Sequence, residues 1–198
     1  MNEVITYLSQ HKLELSAAFF GLLYVVLAAK ENYLCWFAGI MNVSIYIVIF
    51  YQQKIFANMS LQVIYLIISF YGLYAWLSKK KGQQAFISKM DSSYRYFMVI
   101  LFILLTGTAY ITLQNSDTTL LTLDALTSAA GIIATWMQAR KFIENWLIWI
   151  PTDLTIMVMF ILEEMYVSAA LFLIYTIIAI IAYRKWAKAL KHKELAQS

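Results

Sequence analysis

Trp146, Trp149 and Asp153 are spaced i, i+3, i+7, so on a helix all three lie on one face. Aromatic faces attract cations, and a carboxylate adds direct charge pairing, so the trio suits a flat, positively charged organic solute. Asp153 lies about nine residues in from the cytoplasmic end of its helix, roughly 13 Å deep at 1.5 Å per residue. No Lys, Arg or His of the apolar segments can pair with it there. The carboxylate is therefore protonated, hydrogen-bonded, or waiting for a cation from outside. Pro151, the only proline, lacks an N–H and predicts a kink beside it.

Further polar residues repeat at helical spacing. Asn42 has a similar depth, with Gly39 and Tyr46 on its side. Asn58, Gln62, Tyr65, Ser69, Gly72 and Trp76 form a second stripe, and Asp124, Thr127, Gly131, Thr135 and Gln138 a third. Together they predict a polar, aromatic-walled cavity with Trp146, Trp149, Asp153, Asn42, Gln62, Tyr65 and Asp124 as its ligand-binding residues. Plainer roles compete. Gly, Ser and Thr stripes also serve helix packing, and Asn and Gln also bridge helices. Trp76 and Trp186, near helix ends, read as anchors at the membrane interface.

The same inventory argues against an enzyme. The two histidines, His11 and His192, fall in the terminal segments, and there is no glycine-rich phosphate loop, metal cluster or Ser/His pair. No metal or cofactor is expected. Cys35, the single cysteine, cannot form an internal disulfide and reads as packing. The sequence thus describes a transporter for a small, flat, cationic solute; an ion channel fits an aromatic-lined site less well.

The elements that must position these residues are membrane helices. Of 198 residues, 62% are hydrophobic and 13% charged, and the mean hydropathy is +0.69. A soluble domain carries roughly a quarter charged residues, so this chain has too little polar material to wet a globule. Seven stretches are expected to span: 15–29, 33–51, 55–77, 94–113, 119–137, 146–162 and 167–186, within a single all-α domain of residues 1–198. The basic residues cluster in the loop after the third stretch (Lys79, Lys80, Lys81, Lys89), in the fifth loop (Arg140, Lys141) and in the tail (Arg184, Lys185, Lys188, Lys191, Lys193). The loops around Asp117 and Glu163–Glu164 have none, so the C-terminus is expected in the cytoplasm and the N-terminus outside. Basic clusters of this kind suit cytoplasmic loops better than nucleic-acid binding. No cleavable leader is expected, since the first apolar stretch begins only near Leu15.

The chain also resembles itself. Glu31-Asn32-Tyr33-Leu34-Cys35-Trp36 matches Glu144-Asn145-Trp146-Leu147-Ile148-Trp149, Ser16-Ala17-Ala18 matches Ser128-Ala129-Ala130, and Tyr24 matches Trp136. Phe56, Tyr65 and Trp76 line up with Tyr166, Tyr175 and Trp186. The offsets run from 110 to 113. This predicts two three-helix bundles, 15–77 and 119–186, joined by a linker helix at 94–113. One linker crossing makes the repeat parallel, with the substrate near the midplane between the halves.

At this point the sequence resembles the PnuC family of bacterial vitamin transporters. The resemblance rests on the run from Arg140 to Trp149, the Trp-x-x-Trp-x-x-x-Asp spacing ending at Asp153, Asn42, Leu61-Gln62-Val63, and Tyr71-Gly72-Leu73-Tyr74-Ala75-Trp76. It covers residues 17–186. It implies a three-plus-one-plus-three, SWEET-like fold in the bacterial inner membrane and a homotrimer. It also implies facilitated diffusion made directional by a cytoplasmic vitamin kinase; proton coupling is the rival mechanism. In these roles Trp146 and Trp149 stack on the vitamin and Asp153 takes its charge or amino group. Asn42, Gln62 and Tyr65 supply polar contacts from the other half, and Gly39 and Gly72 permit close helix approach. Nicotinamide riboside members carry Asn where this chain has Asp153, and a Trp is expected where it has Leu123. A carboxylate suits the amino-pyrimidine of thiamine, so the sequence favours thiamine, with nicotinamide riboside as the alternative. Riboflavin is neutral and larger.

Overall fold

The computed structural model describes residues 12–78, 87–114 and 120–197. Lys79–Lys81, Asp117 and His11 lie outside the described residues, as does the first residue of the expected fifth span. Among the described residues seven helices follow one another: α1 (Lys12–Ala29), α2 (Leu34–Gln52), α3 (Phe56–Leu77), α4 (Ser92–Leu113), α5 (Leu121–Ala139), α6 (Asn145–Leu162) and α7 (Tyr166–Gln197). The expected spans match them within a few residues, except that α7 runs on well past Trp186.

Lipid, rather than water, is the solvent these helices are built for. On α4, Val99, Ile103, Leu104 and Ile111 are 59%, 63%, 62% and 64% exposed. Apolar side chains this open are costly in water and cost nothing against hydrocarbon. Six of the seven helices are long and apolar enough to cross a membrane; α5 falls short. Its Asp124, Thr127, Thr135 and Gln138 lower its hydropathy, and α3, α4 and α6 all pack against it. A helix shielded by neighbours does not need an apolar exterior.

Four tight turns set the geometry. In each, a helix ends on a residue in the left-handed region: Glu31 (φ 56°), Lys54 (φ 60°), Lys141 (φ 54°) and Glu164 (φ 60°). The residue after it donates its N–H back to the last turn. Asn32 to Leu27 and Phe142 to Met137 both measure 3.0 Å, while Ile55 to Phe50 and Met165 to Phe160 measure 2.9 and 2.8 Å. These bonds satisfy orphan helix carbonyls where the chain reverses. The four form two pairs 110 residues apart, Glu31 with Lys141 and Lys54 with Glu164, each with the same backbone geometry.

Packing follows the same interval. Trp36 meets Trp76 edge-on (centroids 5.6 Å, 88°), and Trp146 meets Trp186 likewise (5.5 Å, 88°). Trp186 is fully buried in this pair, so it is a packing residue and not the interfacial anchor the sequence suggested. Trp76 is likewise tied inward, donating its Nε1 to the carbonyl of Ala139 at 3.1 Å. The interval also corrects the register read from the sequence. Glu31 is the left-handed residue ending α1, whereas Glu144 precedes α6; the partner of Trp146 is Trp36, not Tyr33. α1 packs on α2 and α2 on α3; α5 packs on α6 and α6 on α7; α3 meets α5 and α1 meets α7.

Candidate functional site

A cavity of about 310 Å³ lies among α1, α2, α3, α5, α6 and α7. Its volume is at the lower end of small-molecule sites. α6 supplies Trp146, Trp149 and Asp153 to its wall, as the i, i+3, i+7 spacing demands. α6 continues through Pro151 as one helix. The ring removes one backbone bond without ending the element, and Thr152 and Thr155 donate their hydroxyls to carbonyls one turn back, at 2.8 and 2.9 Å.

Asp153 is 4% exposed, and among the described residues nothing donates a hydrogen bond to its carboxylate or pairs with its charge. No Lys, Arg or His lines the cavity. Around it stand Tyr24, Tyr46, Tyr65, Trp149, Phe172 and Tyr175. A desolvated carboxyl group walled by aromatic rings has the chemistry to attract a planar cation.

Six of the seven sequence-predicted residues meet here: Trp146, Trp149, Asp153, Asn42, Gln62 and Tyr65. Asp124 does not. It sits in the first turn of α5, three to four turns from Thr135 and Gln138, the α5 residues that do line the wall. The stripe read from the sequence outruns the cavity: Thr135 and Gln138 line it, whereas Thr127 lines a separate depression. Asn42 has a second duty: its Nδ2 donates to the Ala17 carbonyl at 2.7 Å, tying α2 to α1. Trp146 is 2% exposed and locked against Trp186, so it supports the wall more than it presents a free ring. Trp149 is only partly buried.

The predicted site omitted Tyr24, Tyr175, Phe172 and Gln138. Tyr175 was within reach, because it lies 110 residues after Tyr65 and both tyrosines do the same thing. The hydroxyl of Tyr65 rests where a Cβ on Gly131 would be, and that of Tyr175 lies 2.6 Å from where a Cβ on Gly21 would be. Each glycine makes a notch for a tyrosine of the other bundle. Gly39 and Gly72 also give way to rings, Tyr24 at 3.0 Å and Trp36 at 2.5 Å from their missing Cβ, as their expected role in close approach requires.

At the Trp146 end the cavity wall is backed by a buried cluster. Below Gln138 and Trp146 lie Ala28, Cys35, Trp36 and Trp186, each fully buried. Over them, Lys141 Nζ pairs with Glu31 Oε2 at 3.2 Å and sits 4.6 Å from the Trp76 ring centroid. The free thiol of Cys35 is part of this cluster, in line with a packing role. A second, larger depression of about 490 Å³ lies between α4, α5 and α6. It offers only the hydroxyls of Thr127, Thr152 and Thr155 as polar groups and has no charge to select a solute.

A family model described as "Nicotinamide mononucleotide transporter" matches residues 11–188. The protein from Escherichia coli named "Nicotinamide riboside transporter PnuC" is 24% identical over 200 residues, covering 87% of this chain and 84% of that one. A protein of the same name from Neisseria mucosa is 26% identical over 145 residues, covering 70% of this chain and 55% of that one. Among solved structures, "Crystal structure of the Vitamin B3 transporter PnuC" superposes with a TM-score of 0.73 at 20% identity, covering 96% of this chain and 87% of that one.

Proposed function

The chain belongs to the nicotinamide mononucleotide transporter family and is a multi-pass membrane transporter; we propose that its substrate is nicotinamide riboside, held in the cavity between α1–α3 and α5–α7. Asp153, a buried carboxyl without a partner one turn from Trp149 on an aromatic wall, supports a flat cation as the solute, and the choice of the riboside among flat cations rests on the names of the relatives. The ring nitrogen of the riboside carries a fixed positive charge for the carboxylate, and its flat face suits Trp149. A mononucleotide would bring a phosphate into a cavity with a carboxylate and no basic residue, at a high desolvation cost. The riboside is therefore favoured over the nucleotide in the family's description. The thiamine expectation finds no support in the names of the relatives above, which leaves the sequence's alternative as the better reading.

Two bundles of the same fold, α1–α3 and α5–α7, with α4 as the linker, form the architecture we propose. The 110-residue recurrence of turns, tryptophan pairs and glycine–tyrosine notches supports a parallel relation between them. Seven spans follow, with α5 carried across by its neighbours. Lys30, Arg140 and Lys141 at one end of the bundle, with Lys188 and Lys191 on α7, favour that end as cytoplasmic in the bacterial inner membrane. Facilitated diffusion with phosphorylation of the solute by a cytoplasmic kinase, and assembly as a homotrimer, complete the proposal.

The test is titration of the purified protein with nicotinamide riboside, its mononucleotide and thiamine, followed by tryptophan fluorescence. Saturable quenching by the riboside, with at least tenfold weaker response to the others, is expected. Tighter binding of thiamine would return the assignment to thiamine. Uptake into proteoliposomes that changes with an imposed pH gradient would replace facilitated diffusion with proton coupling.

A further inference from the structure

The two bundles share their packing and differ at the cavity. At the 110-residue interval Gly21 answers Gly131, Tyr65 answers Tyr175, Trp36 answers Trp146 and Trp76 answers Trp186. Cavity positions break the pattern. Asp153 stands where the first bundle has Val43, Trp149 where it has Gly39, and Gln138 where it has Ala28. A scaffold of two like halves binds an unsymmetrical solute only through such differences, so these are the positions at which to look for ligand contacts.

Gln138 is the one of the three with no role so far. It is 1% exposed, lines the cavity, and its Nε2 has no hydrogen-bond partner. A buried amide left unpaired costs about 1–3 kcal/mol, so something must offset it. Unpartnered indole N–H groups are found on Trp36, Trp146 and Trp186 as well. Those of Trp36 and Trp146 occur in both bundles and so belong to the shared packing, whereas the amide has no counterpart.

We propose that Gln138 is a ligand-binding residue whose carboxamide hydrogen-bonds a neutral polar group of the solute, at the end remote from its charge. Gln138 lies one residue from the end of α5, beside the turn into α6. Asp153 lies eight residues into α6, about 12 Å further along the axis. The solute therefore spans the cavity lengthwise, with its cationic ring at Trp149 and Asp153 and its hydroxyl-bearing end at Gln138. The class of substrate is a flat cation with a hydroxylated arm. This rests on the cavity being the transport site.

The test is Gln138→Leu, with Gln138→Met as an unbranched second variant, measured by nicotinamide riboside titration and by thermal unfolding without ligand. Replacing an unpaired amide by an apolar group of similar size raises the unfolding temperature of the empty protein, while the riboside affinity falls about tenfold. An affinity within twofold of the parent in both variants overturns the proposal, as does a loss of affinity accompanied by a lower unfolding temperature. Asp153→Asn and Trp149→Ala are run beside them. If those two also leave affinity unchanged, the cavity is not the site; if they weaken binding and the Gln138 variants do not, only the assignment of Gln138 fails.

Discussion

Asp153→Asn separates charge from shape at the centre of the site. The two side chains are nearly isosteric, so the 4% exposure of the position should not change and the wall around it should stay in place. A cation about 4 Å from the carboxylate gains roughly 4 kcal/mol at an effective dielectric constant of 20. Stripping water from both charges takes back much of that, leaving about 1–3 kcal/mol, as for hydrogen bonds to charged groups. Asparagine keeps one acceptor oxygen, so the loss is partial. About 1.5 kcal/mol, or roughly tenfold in dissociation constant, is expected for nicotinamide riboside.

The assay is tryptophan fluorescence, since Trp146 and Trp149 line the same cavity. The neutral ring compound nicotinamide is titrated in parallel, and its weak binding should be unchanged by the substitution. Without ligand the variant should unfold at a higher temperature, because a buried carboxylate with no partner is replaced by a neutral group. Equal losses for the charged and neutral compounds would mean that the substitution had deformed the wall. A riboside affinity within twofold of the parent would remove Asp153 from the site altogether.

Three further outcomes follow from the geometry. Trp149→Ala should weaken riboside binding with a modest effect on stability, whereas Trp146→Ala, which empties a buried edge-on pair, should cost about 3 kcal/mol or more of stability in thermal or denaturant unfolding. Gly131→Ala puts a methyl group where the Tyr65 hydroxyl rests, so the tyrosine must move; proteoliposome uptake should fall severalfold while Gly107→Ala, with open space at its Cβ, leaves uptake unchanged. Reversing one member of the Glu31–Lys141 pair by Glu31→Lys should lower the unfolding temperature, and the double exchange with Lys141→Glu should restore most of it, with a coupling of about 1 kcal/mol for a pair this close to the surface.

Helix positions were legible in the sequence because lipid imposes a simple rule, about 20 apolar residues per crossing, and polar residues inside such stretches stand out. That is why the face of Trp146, Trp149 and Asp153 could be placed before any coordinates. The repeat was visible but its register was not. Glu-Asn pairs at 31 and 144 attract the eye, yet one closes a helix and the other opens one. The true interval is set by backbone reversals that any polar residue can occupy, Glu31 against Lys141 and Lys54 against Glu164, so composition hides it. Asp124 illustrates a different limit. Helical periodicity places a residue on a face but does not say how far along that face a cavity extends.

The unpaired state of Asp153 and Gln138 also bears on how such a protein releases what it binds. A carrier needs polar groups that hold a solute well enough to admit it and weakly enough to let it go. Asn42 is partly committed to a helix carbonyl, and the serines and threonines of the membrane helices largely bond back to their own helices. Asp153, Gln138 and the hydroxyl of Tyr24 are among the cavity groups whose hydrogen bonding is unmet when it is empty. Asp153 is the one charged group among the residues that line the cavity, which bounds how tightly the site holds a cation. The carrier also cannot close tightly on an empty cavity without burying these groups unpaired. Loading should therefore favour the closed state. In proteoliposomes, exchange of labelled for unlabelled riboside should then run faster than net efflux into riboside-free buffer, and equal rates would show that the empty carrier returns without that cost.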